Sequence, residues 1–276
     1  MKHYLSIACL QYSSTQDEQL TLKTIVKLIE NALTRKVEFI ALPECATSLQ
    51  KNSLITKELA KTEDQNISLQ TLKEIAKSNS IFILIGSLPI KTCDKLVNRS
   101  FLIGPEGNIL CKYDKIHLYD VNLPNGETFR ESDTYSSGNR AVIAKIKKNK
   151  VKIGLTICYD LRFPNLYQDL AANGAEIIFV PSAFSNITGP VHWHTLLKAR
   201  AIETGSFIVA PAQTGHHQCG RISYGHSLII SPWGKILKDA KRVVGLIHEN
   251  INLDEVVKAR KAIPSLHSKR DYSTNF

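Results

Sequence analysis

Three residues whose side chains can carry out chemistry lie at the ends of predicted strands. Cys158 directly follows the apolar run 151–157, and Glu44 and Lys115 end or follow similar segments. A thiolate is a nucleophile, a carboxylate can act as a base, and an ammonium stabilises negative charge. Strand ends can meet in one pocket, so the order Glu44, Lys115, Cys158 predicts cysteine-based covalent chemistry.

Each of these residues has a simpler interpretation when it is taken alone. A single cysteine is usually a small buried hydrophobe. A glutamate after Leu-Pro is usually a loop residue, and a lysine in a basic chain is usually solvated. The chemical interpretation is favoured because all three residues occur together, each within a distinctive local motif.

Length and composition indicate one large α/β domain spanning residues 1–276. No apolar stretch reaches the roughly 20 residues that a membrane span needs. The first strand-like segment is too short and too polar at its end to be read as a secretion signal. The six cysteines contain no C-x-x-C pair, so we expect reduced thiols, no structural zinc and a cytoplasmic protein.

The formal net charge of +10 raises the question of a polyanionic partner. The lysines are scattered, and the densest run, 145–150, is predicted to be a hairpin turn. We therefore expect no nucleic-acid partner. The charge is better suited to attracting a small anionic substrate.

Strand-like and helix-like patterns alternate along the chain. Helices are predicted where apolar residues recur at helical spacing, around 22–33, 69–78, 164–172 and 193–201, with a short one in the tail. Strands are predicted at 4–11, 37–42, 81–86, 98–103, 108–113, 141–146, 151–157, 176–180, 207–211, 226–230, 235–237 and 244–251. The polar stretch 119–138 is predicted to be a long functional loop. Uninterrupted apolar strands indicate sheets that are buried on both faces between layers of helices.

Three motifs resemble those of the nitrilase superfamily of carbon–nitrogen hydrolases. They are Leu-Pro-Glu ending at Glu44, Lys-Ile-His-Leu beginning at Lys115, and Cys-Tyr-Asp-Leu-Arg-Phe-Pro beginning at Cys158. They occur in the family's order, and the resemblance covers essentially the whole chain. It implies a four-layer αββα sandwich and a homodimer paired through helices. The tail, about 253–276, is then a candidate for packing on a partner subunit.

The chain is most similar to the Nit branch of amidases within this superfamily. The segment 194–204 fits that branch, and 212–217 with 221–227 resembles the deaminated glutathione amidases more than the ω-amidases. The resemblance implies a Glu-Lys-Cys triad with a thioester intermediate. Cys158 would be the nucleophile, Glu44 the base, and Lys115 with the backbone N–H of Tyr159 the oxyanion donors.

Glu131 matches the second glutamate of the family, which implies that it orients Lys115 and the substrate amide. Its simpler interpretation is a solvated loop carboxylate. Glu127 lies close in sequence and is predicted to be exposed. No metal or organic cofactor is implied, because a thiol, a carboxylate and an ammonium suffice for the reaction.

Arg162 is the main indication of the substrate class. A guanidinium four residues after the nucleophile is placed to bind a carboxylate in a bidentate way. A structural salt bridge to Asp160 or another acidic residue is the alternative. Phe184 and Thr188 resemble the loop that completes the ligand site of Nit amidases, although Phe184 could equally belong to the core. His216, His217 and Arg221 are candidates for contacting the distal end of a longer substrate. They could equally lie in a solvated surface loop.

The sequence thus predicts an amidase acting on a small carboxylate-bearing 2-oxo acid. The preferred substrate is deaminated glutathione, cut to 2-oxoglutarate and cysteinylglycine as a metabolite repair reaction. An ω-amidase acting on 2-oxoglutaramate is the close alternative, followed by a nitrilase or carbamoyl-amide hydrolase. A non-catalytic binding protein on the same fold is disfavoured, because it would not need all three of Glu44, Lys115 and Cys158.

Overall fold

The first strand shows how the chain is layered. The computed structural model of this protein describes residues 4–93, 96–146, 151–268 and 270–274. Along β1 (Tyr4–Gln11), Leu5 and Ile7 enter one hydrophobic core, whereas Ala8 and Leu10 enter another. Because successive residues of a strand point to opposite faces, this strand lies in a sheet that is covered on both sides.

Strands and helices alternate through most of the chain. The further strands are β2 (Phe39–Ala41), β3 (Phe82–Lys91), β4 (Leu96–Ile103), β5 (Ile109–Asp114), β6 (Asp120–Asn122), β7 (Thr128–Arg130), β8 (Val142–Ile146), β9 (Val151–Leu155), β10 (Ile177–Phe179), β11 (Phe207–Ala210), β12 (Thr214–His216), β13 (Ile222–Tyr224), β14 (Leu228–Ile230), β15 (Ile236–Asp239) and β16 (Gly245–Asn252). The α-helices are α1 (Glu18–Leu33), α2 (Ser53–Leu59), α3 (Ile67–Asn79), α4 (Pro164–Ala172), α5 (Gly189–Thr204) and α6 (Asp254–Ala262).

Two six-stranded sheets form the centre of the molecule. Their strand orders are β16-β1-β2-β3-β4-β5 and β15-β14-β11-β10-β9-β8. The sheets face each other: Phe39 of β2 stacks on Phe179 of β10, with ring centroids 4.8 Å apart. Helices α1 and α3 cover the first sheet, and α4 and α5 cover the second. The predicted αββα sandwich is therefore confirmed.

Helix α1 illustrates how local sequence sets these layers. The Asp17 carboxylate caps its N-terminus by accepting hydrogen bonds from the backbone N–H groups of Gln19 and Leu20. The helix buries one face, with the residues Thr21, Ile25, Ile29 and Ala32. Their spacing of three to four residues matches the helical period, so this face packs on the first sheet.

The strands and helices of the core match the sequence prediction closely, whereas the peripheral segments do not. Helix α2 and the hairpin of β12 and β13 were not predicted, because their short segments carry little periodicity. The predicted loop 119–138 contains a second hairpin, β6 with β7, followed by a 3-10 helix over Glu131–Asp133. The turn predicted within 145–150 falls largely outside the described residues. Among the described residues, no helix combines the length and apolar character that a bilayer crossing requires.

Candidate active site

The facing sheets bring Glu44, Lys115 and Cys158 together just beyond the ends of β2, β5 and β9. All three are buried, with Lys115 only 2% exposed, Glu44 5% and Cys158 8%. Gly86 of β3 packs directly on the backbone that leads to Glu44. A Cβ there would lie 2.3 Å from the Pro43 carbonyl oxygen, so only glycine allows this close approach.

Lys115 lies between two carboxylates. Its Nζ is 2.8 Å from Glu44 Oε1 and 2.8 Å from Glu131 Oε2. The Asn98 side-chain amide donates to both carboxylates, at 3.3 Å to Glu44 and 3.1 Å to Glu131. Glu131 therefore lies inside the site and contacts Lys115, as the family resemblance implied, and is not a solvated loop carboxylate.

The second Glu44 oxygen is also held. Ala183 donates its backbone N–H to Glu44 Oε2 at 2.8 Å, and the Glu44 charge raises the pKa of the nearby Cys158 thiol. Glu44 is thus the acceptor of several fixed donors and lies beside the proposed nucleophile. This geometry suits a group that takes a proton from the thiol.

Cys158 occupies an unusual backbone conformation. Its φ is 46°, in the left-handed region that L residues rarely adopt. It begins a 3-10 helix, Cys158–Arg162, and its backbone N–H donates to the Pro181 carbonyl at 2.9 Å. A strained residue at a strand end is held by its surroundings, and such strain is typical of functional sites.

Asp160 fixes this turn. Its buried carboxylate accepts hydrogen bonds from the Ile157 backbone N–H at 2.8 Å, the Tyr113 hydroxyl at 2.6 Å and the His117 backbone N–H at 3.0 Å. The Cys158 turn is thereby tied to the segment that carries Lys115. Asp160 is not paired with Arg162, so the salt bridge considered as an alternative from the sequence is wrong.

Electrostatics leave the base charged and the thiol protonated at rest. Burial alone would raise the pKa of Glu44, but the charge and hydrogen bond of Lys115 outweigh it, and the pKa is lowered. Burial opposes the charge on Lys115, yet Glu131, Glu44 and Cys158 raise its pKa well above the ordinary value. Burial, followed by the Glu44 charge, raises the pKa of Cys158. The thiol therefore becomes nucleophilic only as Glu44 removes its proton.

The pH profile of kcat/KM tests this charge distribution. Because Glu44 must be ionised to act as a base and its pKa is lowered, we expect the acid limb to have its midpoint below about 4.3, the ordinary value for glutamate. The profile is measured with the amide that the enzyme turns over fastest. A midpoint between 6 and 7 would instead indicate a base whose pKa is raised by burial, and would contradict the Lys115 pairing as the dominant effect.

Arg162 lies beside two aromatic rings. Its guanidinium carbon is 5.9 Å from the Tyr159 ring centroid and 5.6 Å from that of Phe184. Its Nη atoms lie 3.3 Å from His192 Nδ1, whose pKa is lowered by burial and by the Arg162 charge. No carboxylate of the described residues lies within salt-bridge distance of Arg162, so its charge can meet that of a ligand.

Phe184 and Thr188 lie on the segment that leads into α5. Phe184 is 5% exposed and packs on Trp193, with ring centroids 4.9 Å apart. It therefore belongs to the core and contacts Arg162 as well. Thr188 is half-buried at the N-terminus of α5, and its side chain makes no capping hydrogen bond.

The three distal candidates separate into two groups. His217 is buried, with Nδ1 3.1 Å from the Ser14 carbonyl oxygen and Nε2 2.8 Å from Ser223 Oγ. Both ring nitrogens are engaged, so the structure does not support His217 as a ligand for substrate. His216 and Arg221 are exposed on the β12–β13 hairpin, where Arg221 lies over the Phe129 ring at 5.4 Å. Glu127 is exposed, as predicted.

Four contributions to the site were not predicted from the sequence. They come from Asn98, the Ala183 backbone N–H, Asp160 as the anchor of the turn, and Tyr119, whose ring packs against Tyr159. An asparagine inside a strand, or a backbone N–H, has no pattern of its own. The position of Asp160 two residues after Cys158 was the only available indication.

One cluster among the described residues consists of residue types that can bind a metal ion. Donor atoms of His194, His226 and Asp239 all lie within 4.8 Å of one another. The Asp239 carboxylate is already paired with His226 Nδ1 at 3.0 Å and with Lys241 Nζ at 2.8 Å. The arrangement is accounted for as an ion-pair network and includes none of Glu44, Lys115 and Cys158.

Comparison with known proteins now identifies the fold and its chemistry. The family model described as carbon-nitrogen hydrolase matches residues 6–261. The chain belongs to the carbon–nitrogen hydrolase family. It is an enzyme that hydrolyses amide C–N bonds, as the homologous amidases do.

Its relatives within the nitrilase superfamily are amidases of the Nit branch. A deaminated glutathione amidase of Synechocystis is 38% identical over 98% of this chain and 99% of its own length. An ω-amidase of Mus musculus is 33% identical over 96% of this chain and 94% of its own. A solved Saccharomyces cerevisiae protein of branch 10 of the superfamily superposes with a TM-score of 0.85 at 28% identity, over 95% of this chain and 94% of that one.

Proposed function

We propose that this carbon–nitrogen hydrolase cleaves the amide of a small carboxylate-bearing 2-oxo acid. The preferred substrate is deaminated glutathione, with 2-oxoglutarate and cysteinylglycine as products. The observation that carries this proposal is Arg162, a guanidinium one helical turn after Cys158 that has no carboxylate partner among the described residues. Similarity to the deaminated glutathione amidase of Synechocystis and the ω-amidase of Mus musculus supports a substrate of this class.

The first half of the proposed reaction forms a thioester. Glu44 takes the thiol proton while Cys158 Sγ attacks the amide carbonyl carbon. The resulting oxyanion is stabilised by Lys115 and the backbone N–H of Tyr159. Glu44 then returns its proton to the amine as the C–N bond breaks, leaving the acyl group on sulfur. Each oxyanion donor contributes about 2.7–4 kcal/mol to lowering the barrier.

The second half releases the acid. Water enters after the amine leaves, and Glu44 removes a proton from it as its oxygen attacks the thioester carbonyl. Collapse of this second intermediate breaks the C–S bond, and the proton on Glu44 returns to sulfur. Glu131 and Asn98 hold Lys115 and Glu44 throughout, so these charged groups need little reorganisation during the cycle.

Arg162 would bind the carboxylate of the substrate's 2-oxo acid head, which is the end of the molecule that carries the keto group next to the carboxylate. Charge-assisted bonds from a guanidinium to a carboxylate are strong and directional. The rings of Tyr159 and Phe184 flank the guanidinium and limit its movement. The substrate amide is thereby presented to Cys158 from a fixed point.

Hydrolysis of 2-oxoglutaramate is the second candidate, because this substrate carries the same 2-oxo acid head. The two differ in the leaving group, which is ammonia in one case and a dipeptide amine in the other. Exposed Arg221, which lies over Phe129, favours the longer substrate because it can pair with the dipeptide carboxylate. His217 is not part of this argument.

Side-by-side hydrolysis of the two amides by the wild-type enzyme tests the substrate proposal. We expect kcat/KM to be higher for deaminated glutathione than for 2-oxoglutaramate. The Cys158→Ala variant serves as the inactive control. The variant Arg221→Ala should lower kcat/KM for deaminated glutathione more than for 2-oxoglutaramate. A higher value for 2-oxoglutaramate would favour the ω-amidase alternative, and no turnover of either would contradict the proposed substrate class.

We also propose that the protein is a homodimer in which the tail, about 253–276, lies at the subunit interface. Its support is a set of exposed apolar side chains in the tail and elsewhere on the second half of the chain; the tail helix α6 lies beside the end of α5, where Arg260 donates to the Thr204 carbonyl at 3.1 Å. Ile202 of α5, Trp233, and Val257 of α6 are each more than half exposed. Apolar patches of this kind are typical of protein–protein interfaces.

Light scattering tests the dimer. We expect a particle of twice the 30.8 kDa chain mass. The variant Ile202→Glu should shift the protein towards the monomer, because it places a charge among these exposed apolar side chains. The matched variant Leu54→Glu, at an exposed residue of α2, should leave the mass unchanged. A wild-type monomer at micromolar concentration would contradict the proposal.

A reducing compartment such as the cytoplasm is the proposed location. All six cysteines are free thiols, and Cys158 must remain a thiol to react. Disulfides are rare in proteins of that compartment. Fractionation of the source cells, with detection of the protein in the cytosolic fraction, tests this location.

A further inference from the structure

The Tyr119 hydroxyl stands out among the polar groups of the described residues. It is the one buried side-chain nitrogen or oxygen without a hydrogen-bond partner. Buried hydroxyls normally find partners, because leaving one unpaired costs free energy. Two fully buried tyrosines follow this rule: Tyr12 donates to the Ala46 carbonyl, and Tyr167 bonds Thr156 Oγ1.

Tyr119 is held firmly at the edge of the catalytic group. Its backbone N–H donates to Glu131 Oε2 at 2.7 Å, and Glu131 in turn contacts Lys115. Its ring meets the Tyr159 ring edge-on at 5.1 Å and lies 5.5 Å from the Phe129 ring. Contacts of the Tyr119 backbone and ring therefore fix the position of the hydroxyl, which makes no hydrogen bond to the described residues.

The Tyr119 ring lies beside groups of the proposed site. Tyr159 contacts the Tyr119 ring on one side, and the Arg162 guanidinium lies 5.9 Å from the same Tyr159 ring. Burial, followed by the charge of Cys158, raises the pKa of Tyr119 to about 12, while Arg162 opposes the shift. The group is thus a neutral O–H donor at physiological pH, within electrostatic reach of both Cys158 and Arg162.

A space-filling role does not require this oxygen. Phenylalanine would supply the same contacts to Tyr159 and Phe129 without burying an unpaired polar atom. A solvent contact does not account for it either, because the oxygen is buried. A ligand that arrives with its own acceptor would satisfy it.

We propose that Tyr119 is a specificity-determining residue whose hydroxyl donates a hydrogen bond to an oxygen of the 2-oxo acid head that Arg162 binds. The proposal rests on the proposed function, because it assumes a substrate with such a head. The Tyr119 hydroxyl and the Arg162 guanidinium would then both bind the 2-oxo acid head of the substrate. Substrates that lack the head would leave the hydroxyl unpaired and would be disfavoured.

The variant Tyr119→Phe tests this role by removing only the oxygen. We expect KM for the preferred 2-oxo acid amide to rise roughly 10- to 100-fold, the range for a lost hydrogen bond to a charged group, with a much smaller change in kcat. The ratio of kcat/KM for that amide to kcat/KM for a simple aliphatic amide should fall by a similar factor. The matched variant Tyr167→Phe, which loses a satisfied internal bond, should leave this ratio unchanged.

Thermal unfolding of the free enzyme supplies a readout of a different kind. Tyr119→Phe should keep or raise the unfolding midpoint, because it removes an unpaired buried hydroxyl, whereas Tyr167→Phe should lower it. A lower midpoint for Tyr119→Phe with an unchanged ratio would show a structural hydrogen bond and overturn the proposal. An unchanged KM in an enzyme that does turn over 2-oxo acid amides would overturn it as well. If the wild-type enzyme turned over no 2-oxo acid amide, the proposed function itself would fail.

Discussion

Replacing Cys158 with alanine is expected to abolish amide hydrolysis while leaving the fold and substrate affinity in place. Without sulfur no thioester forms, and the loss of a nucleophile of this kind lowers kcat on the order of 10⁶-fold. The turn itself is held by the Cys158 backbone N–H to the Pro181 carbonyl and by the Asp160 carboxylate. Neither contact uses the thiol, so the site should keep its shape.

The measurement has three parts. Turnover should fall on the order of 10⁶-fold, calorimetry should give an unchanged substrate dissociation constant, and circular dichroism should be unaltered. Cys93→Ala is the matched control, because Cys93 is exposed, and it should keep wild-type turnover. Residual activity within tenfold of the wild type would contradict Cys158 as the nucleophile and point to a water attacking directly.

Replacing Lys115 with methionine is expected to have the largest effect on stability. The ammonium lies between the Glu44 and Glu131 carboxylates, and all three side chains are largely buried. Methionine has a similar length but no charge, so two carboxylates remain together without a cation. Breaking a buried ion pair in this way costs about 3–5 kcal/mol in the free energy of unfolding. Turnover should also fall at least 10²- to 10³-fold, because an oxyanion donor is lost.

Urea unfolding at two pH values separates this mechanism from simple misfolding. Without Lys115, burial and mutual repulsion raise the pKa of the paired carboxylates above their values in the unfolded chain. The folded variant then binds a proton more readily than the unfolded chain, so its stability deficit should be smaller at pH 5 than at pH 8.

Lys112→Met is the control on β5, the strand that leads to Lys115. Lys112 is partly exposed and is paired with Glu63, and a surface pair is worth less than about 1 kcal/mol. Equal losses for Lys115→Met and Lys112→Met would argue against a buried, charged Lys115. A deficit that is independent of pH would argue that the two carboxylates do not share the ammonium.

The sequence by itself indicated the chemistry and sheets covered by helices, and its resemblance to a known family implied the order of the layers. Uninterrupted apolar strands, and helices with one apolar face, predict sheets covered by helices. The residues at the strand ends are Glu44, Lys115 and Cys158. They supply a base, a cation and a nucleophile, and their joint occurrence predicts a catalytic site. These signals are local, since each motif sits on one strand and the turn after it, and local signals can be read without coordinates.

Only the tertiary structure decided which groups surround those three residues. Asn98 bridges two carboxylates across separate loops, and the Ala183 N–H reaches Glu44 from the opposite sheet. The fold also paired Asp160 with Tyr113 and His117, which left Arg162 without a carboxylate partner in the described part of the chain. The Tyr119 hydroxyl likewise finds no acceptor among those residues. Hydrogen bonds between residues far apart in the chain depend on how two sheets stack, and no spacing within one strand encodes that geometry.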